Sequence, residues 1–256
     1  MKRLYLIGLV CIACFLGGCS NGTAFFTGGR SGNNLLNMSD DIIQSDNAYG
    51  LSASFEKDSI VIIESDSETV VKEISIPFDD YQIFLSMTDE NNGFLLYCSS
   101  PAMGQMMKSL YVTDDRWATY HEKDISSLID GYPTSLSALS SEHLYIGAQM
   151  RSSGYLFETT DGGDHWDSVS IYEGDYRYGY TAISDENNSI IYVLLEYVLS
   201  GKGGNYDLYQ IDTKQAELEM IGSFSLDDSV QIQEFFMNEG TLYIIDVQGN
   251  LYQIGV

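Results

Sequence analysis

Gly93-Phe94-Leu95-Leu96-Tyr97-Cys98-Ser99-Ser100 is the stretch that decides the fold, because its apolar run with a tyrosine recurs along the chain. Similar runs surround Tyr145 (HLYIGAQ), Tyr192 (SIIYVLLE) and Tyr243 (TLYIIDV), at spacings of 48, 47 and 51 residues. Each run is short, rich in apolar and aromatic residues and bounded by polar turn residues, which is typical of a β-strand. The chain therefore repeats a unit that is built from strands.

A second strand follows each of these runs and repeats as well. It begins with leucine and an aromatic residue at Leu110-Tyr111, Leu156-Phe157, Leu208-Tyr209 and Leu251-Tyr252. A recurrence of about 40 to 50 residues made of short strands indicates a β-propeller, whose blades are sheets of about four antiparallel strands. The sequence therefore predicts an all-β propeller with five blades, at residues 51–77, 81–125, 135–172, 180–224 and 230–256.

The N-terminus has the layout of an export signal. Lys2 and Arg3 precede an apolar run that ends at Leu16 and is too short to span a bilayer as a mature helix. Leu16-Gly17-Gly18-Cys19 resembles the bacterial lipobox, in which the cysteine thiol accepts a diacylglycerol before cleavage. The resemblance implies a lipid-anchored, extracytoplasmic protein on the cell surface or the periplasmic side of the membrane. The alternative is an ordinary secretory signal with an incidental cysteine.

These features divide the chain into a lipoprotein signal peptide over 1–18, a tether over 19–34 and a propeller domain over 35–256. The tether is predicted to be flexible because glycine, asparagine, serine and threonine dominate it. Only three strands are apparent in the last blade. We therefore expect an N-terminal strand near Asp41–Ser45 to complete that blade and cover its open edge.

The charge of the chain restricts its partners. Lys and Arg total 12 and Asp and Glu total 37, and cleavage before Cys19 leaves 10 basic residues and a net charge of −27. Nucleic acid is excluded as a partner, because its affinity for proteins depends on lysine and arginine contacts. Cys98 has no second mature cysteine besides the acylated one, so a disulfide within the chain is not expected. The protein is expected to be a monomer.

Thr159-Thr160-Asp161-Gly162-Gly163-Asp164-His165-Trp166 resembles the Asp-box of sialidase-like propellers with BNR repeats. His165 replaces the usual threonine. In that family the box is a structural turn between the third and fourth strands of a blade, where Thr159, Asp161 and Gly163 shape the turn and Trp166 packs between blades. The segment 113–117 looks like a shortened second copy. The resemblance to Asp-box proteins of the photosystem II assembly factor type implies scaffolding.

Catalysis is not predicted. Sialidases need three arginines around the substrate carboxylate, but one of the four mature arginines, Arg30, lies in the tether. The sequence also has no Arg-Ile-Pro motif, which sialidases usually carry. The three histidines, His121, His143 and His165, fall in unrelated positions, so neither a metal nor a cofactor is predicted. The alternative is a glycoside hydrolase that acts on surface or host glycans with unusual residues such as Glu173 and Asp175.

A binding surface is predicted where the loops between second and third strands meet the links between blades. These segments collect methionine, tyrosine and arginine, which are enriched in protein interfaces, and tyrosine with aspartate also suits sugar recognition. The predicted function is therefore a non-enzymatic module that binds a protein or a carbohydrate through this face. The candidate residues are Met103, Met106, Met107, Tyr132, Arg151, Tyr176, Arg177, Tyr178 and Tyr180.

Overall fold

The structure is a computed structural model that describes residues 25–30, 45–46, 49–77, 80–102, 105–149, 156–169, 176–183, 189–199, 202–214, 217–227, 230–238 and 240–255. All regular structure in these ranges is β-strand. The early strands are β1 (Phe25–Arg30), β2 (Ser45–Asp46), β3 (Leu51–Glu56), β4 (Ser59–Glu64), β5 (Thr69–Ser75), β6 (Asp80–Met87), β7 (Gly93–Ser99), β8 (Lys108–Thr113), β9 (His121–Asp124) and β10 (Tyr132–Ala138). The later ones are β11 (Leu144–Gln149), β12 (Leu156–Thr159), β13 (Asp167–Ser168), β14 (Tyr176–Ile183), β15 (Ile190–Leu199), β16 (Lys202–Asp212), β17 (Glu217–Ser225), β18 (Ile232–Asn238), β19 (Thr241–Asp246) and β20 (Leu251–Gly255).

The strands form consecutive antiparallel groups in which each strand pairs with the next. The first group is β3–β5, the second β6–β9, the third β10–β13, the fourth β14–β17 and the last β18–β20. A single pair, Gln149 and Tyr178, joins the third and fourth groups into one sheet. The predicted all-β class is confirmed.

Strand direction alternates within a group, so the loops separate into two faces. The second-to-third loop of the second group and its link to the third group, residues 100–107 and 125–131, lie at one end, which we call the loop face. The third-to-fourth turns of the second and third groups, residues 114–120 and 160–166, lie at the opposite end, which we call the box face.

Neighbouring groups pack against each other through buried apolar side chains. On β7, Leu95 and Tyr97 belong to the cluster shared with the first group, whereas Leu96 and Cys98 belong to the cluster shared with the third. Equivalent buried clusters join the third group to the fourth and the fourth to the last. Because both sides of a strand are covered, these strands are continuous apolar runs rather than alternating ones.

The first strands of successive groups contact one another, β6 with β10, β10 with β14 and β14 with β18. Buried hydroxyls connect three of them. The Thr181 hydroxyl lies 3.0 Å from that of Ser135 and 2.8 Å from that of Ser137, and the Ser86 hydroxyl accepts a hydrogen bond from the backbone N–H of Ala138. These bonds satisfy polar groups that would be costly to bury alone.

The N-terminal strands differ from the prediction. An N-terminal strand does pair with the last group, but it is β1, which lies antiparallel to β20, and not the segment near Asp41–Ser45. Residues 41–44 are outside the described residues, and β2 runs parallel to β6 instead. The predicted tether, 19–34, therefore contains a strand at Phe25–Arg30. The sequence did not reveal this strand because Gly28 and Gly29 occupy it and glycine is depleted in strands.

The signal peptide and the lipidation site at Cys19 are outside the described residues. In the part of the chain that the structure describes, no helix is long and apolar enough to cross a membrane.

Candidate functional site

A cleft of about 820 Å³ opens on the loop face between the second and third groups. One wall is the loop after β7 and the other is the link from β9 to β10. Three of the predicted binding residues, Met106, Met107 and Tyr132, line it. The remaining lining residues are Ser99, Ser100, Pro101, Ala102, Gln105, Lys108, Ser126, Ser127, Ile129, Asp130 and Gly131.

The first wall of the cleft is held by hydrogen bonds within the β7–β8 loop. The Ser99 N–H donates to the Met107 carbonyl over 3.1 Å, and the Met107 N–H donates to the Ser99 hydroxyl over 3.0 Å. Ala102 and Gln105 exchange backbone hydrogen bonds of 2.8 and 2.9 Å across the tip. The two sides of the loop are therefore held together, and the Gln105 side chain is exposed.

Lys108 forms the floor of the cleft and joins its two walls. Only 4% of this residue is exposed, and its Nζ donates to the carbonyls of Ile129 over 3.0 Å and Met106 over 3.5 Å. A buried ammonium requires such acceptors, because desolvation without them is expensive. Lys108 thus fixes the β9–β10 link against the β7–β8 loop.

Sequence reasoning missed Lys108. It begins β8 and lies on the same side of that strand as Leu110, where an apolar residue is expected. A charged residue where the strand pattern predicts an apolar one could have identified Lys108 from the sequence.

The second wall depends on Gly131, which separates Asp130 from Tyr132. Its φ of 116° lies in a region that other residues rarely adopt, and a Cβ at this position would lie 2.6 Å from the Gln149 carbonyl oxygen. The close approach of the link to β11 therefore requires glycine. It places Tyr132 at the edge of the core shared by the second and third groups, where the ring is half-buried.

The predicted binding residues divide into several classes. Met107 and Tyr132 are partly exposed in the cleft, whereas Met106 is 4% exposed and belongs to the buried core beneath it. Met103 and Arg151 are outside the described residues, and the side chains of Tyr176 and Arg177 in β14 are not described.

Tyr180 does not belong to the binding face. It is 5% exposed and packs in the core between the fourth and last groups, where burial raises the pKa of its phenol. Tyr178 stacks on it at 6.4 Å between ring centroids and is half-buried. The prediction was wrong for Tyr180 because β14 begins four residues earlier and takes this tyrosine into the sheet.

The turn at 159–166, whose sequence resembles an Asp-box, lies on the box face, away from the cleft. The Thr159 hydroxyl accepts a hydrogen bond from the Gly163 N–H over 3.0 Å, and Asp161 accepts one from the His165 N–H over 2.9 Å. This backbone bond and that of the His165 ring hold the pKa of Asp161 well below its usual value. Trp166 packs against the core shared by the second and third groups. The turn is therefore a folding element.

Glu158 is a carboxylate outside the cleft that two neighbouring side chains engage. Glu158 lies 2.6 Å from both His143 Nε2 and the Tyr145 hydroxyl, and the bond to His143 lowers the pKa of this carboxyl. In the described ranges no three His, Cys, Asp or Glu side chains are grouped to hold a metal. Glu173 and Asp175 are outside those ranges.

No known protein family matches the sequence, and no curated protein matches it either. Solved structures do. The structure of BBS1N in complex with ARL6DN is 12% identical, with a TM-score of 0.50 over 84% of this chain and 64% of the other. That of YCF48 bound to D1 peptide is 14% identical, with a TM-score of 0.49 over 83% and 64%. A GH74 xyloglucanase from Xanthomonas campestris is 12% identical, with a TM-score of 0.48 over 84% and 38%.

These similar structures are β-propellers. Together with the strand order, the likeness to BBS1N shows that this chain has a β-propeller fold. The chain spans less than two thirds of the length of each of the three structures.

Proposed function

We propose that this protein is a lipid-anchored, extracytoplasmic β-propeller of five blades that binds a protein or a carbohydrate through the loop-face cleft and catalyses no reaction. The observation that supports this most directly is the position of the cleft. It opens where the sequence places its methionine- and tyrosine-containing loops, and a cleft of about 820 Å³ falls within the range of ligand sites.

The arrangement of the cleft favours binding over hydrolysis. Among its described lining residues the single carboxylate is Asp130, whereas glycoside hydrolysis ordinarily uses two carboxylates on opposite sides of the bond. The one amine, Lys108, is buried and donates to backbone carbonyls, which suits a structural cation rather than a nucleophile.

The proposed lipid anchor would also set how the propeller is oriented relative to the membrane. An acylated Cys19 lies six residues before β1, at the edge of the last group, so the propeller would be held close to the membrane while its loop face remains accessible. Palmitate labelling tests this part of the proposal. Incorporation into the wild type and its loss in Cys19→Ala are expected, and equal labelling of both would contradict the anchor.

Site-specific photo-crosslinking in intact cells tests the binding face. A photoreactive amino acid at Ser127, on the rim of the cleft, is expected to give discrete adducts with an envelope component. The matched control is Ala118, which is also exposed but lies on the box face. Adducts from position 118 alone, or from neither position, would contradict the proposed site.

A further inference from the structure

We infer that the box face is the surface of the anchored propeller that faces the membrane, and that this face approaches neutral lipid more closely than anionic lipid. The anchor is that of the proposed function, on which this inference rests. The direction of β1, the reach of the segment that precedes it and the position of the acidic residues support it.

Strand β1 begins at the box-face end of the last group. The second-to-third loop of that group lies on the loop face beside the link into β18, where the Val247 N–H donates to the Gln231 carbonyl over 2.9 Å. β20 follows this loop and therefore ends on the box face, at Gly255. Phe25, the first residue of β1, pairs with Gly255. The chain therefore enters the propeller from its box-face side.

The reach of the anchor rules out an inverted propeller. An acylated Cys19 would be held at the bilayer surface only six residues before Phe25, and six fully extended residues span at most about 22 Å. β15, with ten residues, rises about 30 Å toward the loop face. If the loop face met the membrane, the β15–β16 hairpin would hold the box-face ends of the fourth and last groups, which pack together, beyond that reach.

Hydrogen bonds connect the turns of the first three groups on the box face. Arg116 Nη2 lies 3.0 Å from Glu64, the last residue of β4, and the Arg116 N–H donates to the Asn91 carbonyl over 2.8 Å. In the third group the Gly162 N–H donates to the Glu142 carbonyl over 2.8 Å. The turn after β4 and the first-to-second turns therefore lie beside the third-to-fourth turns.

These five turns carry dense negative charge. Arg116 is their single lysine or arginine. By contrast, the two segments that border the cleft, 100–107 and 125–131, contain Asp130 as their single charged residue. The acidic residues of the five turns number nine: Asp66, Glu68, Asp89, Glu90, Asp114, Asp115, Glu142, Asp161 and Asp164.

Charge of this density determines which lipid the box face can approach. Anionic headgroups repel it, whereas zwitterionic headgroups carry no net charge. The repulsion acts over the Debye length, which is about 30 Å in 10 mM salt and about 3 Å in 1 M salt. On an anionic bilayer at low salt we therefore expect the propeller to stand off toward the limit of its anchor, with the cleft turned away from the lipid.

Energy transfer on vesicles tests the orientation. The full-length lipidated protein, with one donor dye on Ala118→Cys or Ser127→Cys, is added to phosphatidylcholine vesicles that contain acceptor-labelled headgroups. Cys98 is buried and does not compete for the dye. We expect transfer from position 118, on the box face, to exceed transfer from position 127, on the rim of the cleft, at least about twofold, because the strands separate the two faces by about 20–30 Å.

Lipid composition and paired variants test the role of charge. Replacing about a third of the lipid with phosphatidylglycerol is expected to lower transfer from position 118 about twofold in 10 mM salt and to have little effect in 1 M salt. Asp66→Asn combined with Glu68→Gln removes two of the nine acidic charges and should recover about a quarter of that loss. The matched control is Glu56→Gln combined with Asp58→Asn, at the opposite end of β4, which should recover none.

Each part of the inference has a result that contradicts it. Equal transfer from the two positions, or greater transfer from position 127, on vesicles with which the protein floats would overturn the orientation. Equal transfer from position 118 on neutral and anionic vesicles at low salt would overturn the role of charge. Failure of the wild type to float with vesicles would contradict the lipid anchor and this inference with it, whereas crosslinking at Ser127 reports on the cleft separately.

Discussion

The two turns on the box face share one hydrogen-bonded frame although their sequences differ. In 159–166, Thr159 accepts from the Gly163 N–H and Asp161 from the His165 N–H. In 113–120, Thr113 accepts from the Trp117 N–H over 2.9 Å and Asp115 from the Thr119 N–H over 2.8 Å. The second turn therefore has the same hydrogen-bonded frame as the first over the same number of residues, whereas the sequence suggested a shortened copy.

The difference lies at the position that the family pattern reserves for glycine. Trp117 occupies the place of Gly163 with a φ of 69°, a left-handed conformation that costs a non-glycine residue about 1–2 kcal/mol. Its indole is fully buried between the first and second groups, and burying about 150–250 Å² is worth about 4–6 kcal/mol. Burial offsets this strain together with the cost of about 1–3 kcal/mol for the buried indole N–H, which has no hydrogen-bond partner among the described residues, so tryptophan is tolerated where glycine is usual.

A lysine from the last strand of the preceding group also binds each of the two turns. Lys123 Nζ lies 2.6 Å from Asp164 and donates to the Gly162 carbonyl, while Lys72 Nζ donates to the Ala118 carbonyl over 2.8 Å. The two turns therefore share the threonine and the aspartate that accept the backbone hydrogen bonds. They differ in the position of the tryptophan, since Trp117 takes the place of Gly163 whereas Trp166 ends its turn.

The largest effect is expected at Trp117. Trp117→Ala should lower the free energy of unfolding by about 3–5 kcal/mol, because it empties the seam between the first and second groups. Trp117→Gly should lower the free energy of unfolding by about 1 kcal/mol less than Trp117→Ala does, since glycine removes the left-handed strain. Urea unfolding measures both, and a glycine variant less stable than the alanine variant would contradict the account of this position.

The next effect concerns Gly163. Gly163→Ala introduces a Cβ 2.7 Å from Leu110 Cδ2 at a φ of 97° and should cost about 2–3 kcal/mol. Gly240→Ala is the matched control, because its φ of 73° brings the same backbone strain with no atom within 4 Å. A cost at Gly163 no greater than that at Gly240 would show that the contact with Leu110 is unimportant.

A smaller effect concerns how the stability contributed by each of the two turns depends on pH. Asp161 raises the pKa of His165, so this ion pair stabilises the fold below the unfolded histidine value of about 6.5 and is lost as pH rises through the higher folded value. Thr119 occupies the same position in the other box and does not titrate. We therefore expect His165→Thr to reduce the fall in melting temperature between pH 6 and pH 9. An unchanged pH profile in this variant would mean that the pair contributes nothing.

The smallest effect is expected at the two lysines. Lys123→Met should cost at most about 1 kcal/mol in dilute buffer and less in 1 M NaCl, because its partner Asp164 is exposed and salt screens the pair. Lys72→Met should cost a similar amount but depend less on salt, because Lys72 bonds a carbonyl and lies 5.2 Å from the centre of the Tyr120 ring. Its attraction to Asp115 is the smallest of the effects that lower the pKa of that carboxyl. The same salt dependence in both variants would contradict this distinction.

Much of this fold could be predicted from the tyrosine-containing strands, because the chain repeats them and their apolar residues face neighbouring groups on both sides. The turn at 159–166 could be predicted because its residues act locally. The partner of β20 could not, since a strand with central glycines has no pattern that distinguishes it from a loop. Lys108 was missed because its acceptors, the carbonyls of Met106 and Ile129, come together only when the second group is folded.

The central claim is that partners bind the loop face and that the box face is structural. Covalent blocking tests it directly, because Cys98 is buried with a thiol pKa raised to about 12 and will not compete with a new surface cysteine. Ser127→Cys and Ala118→Cys, each coupled to a bulky maleimide, are compared for capture of the partner identified by crosslinking. The account predicts that blocking position 127 reduces capture at least tenfold and that blocking position 118 has no effect; the opposite pattern would contradict it.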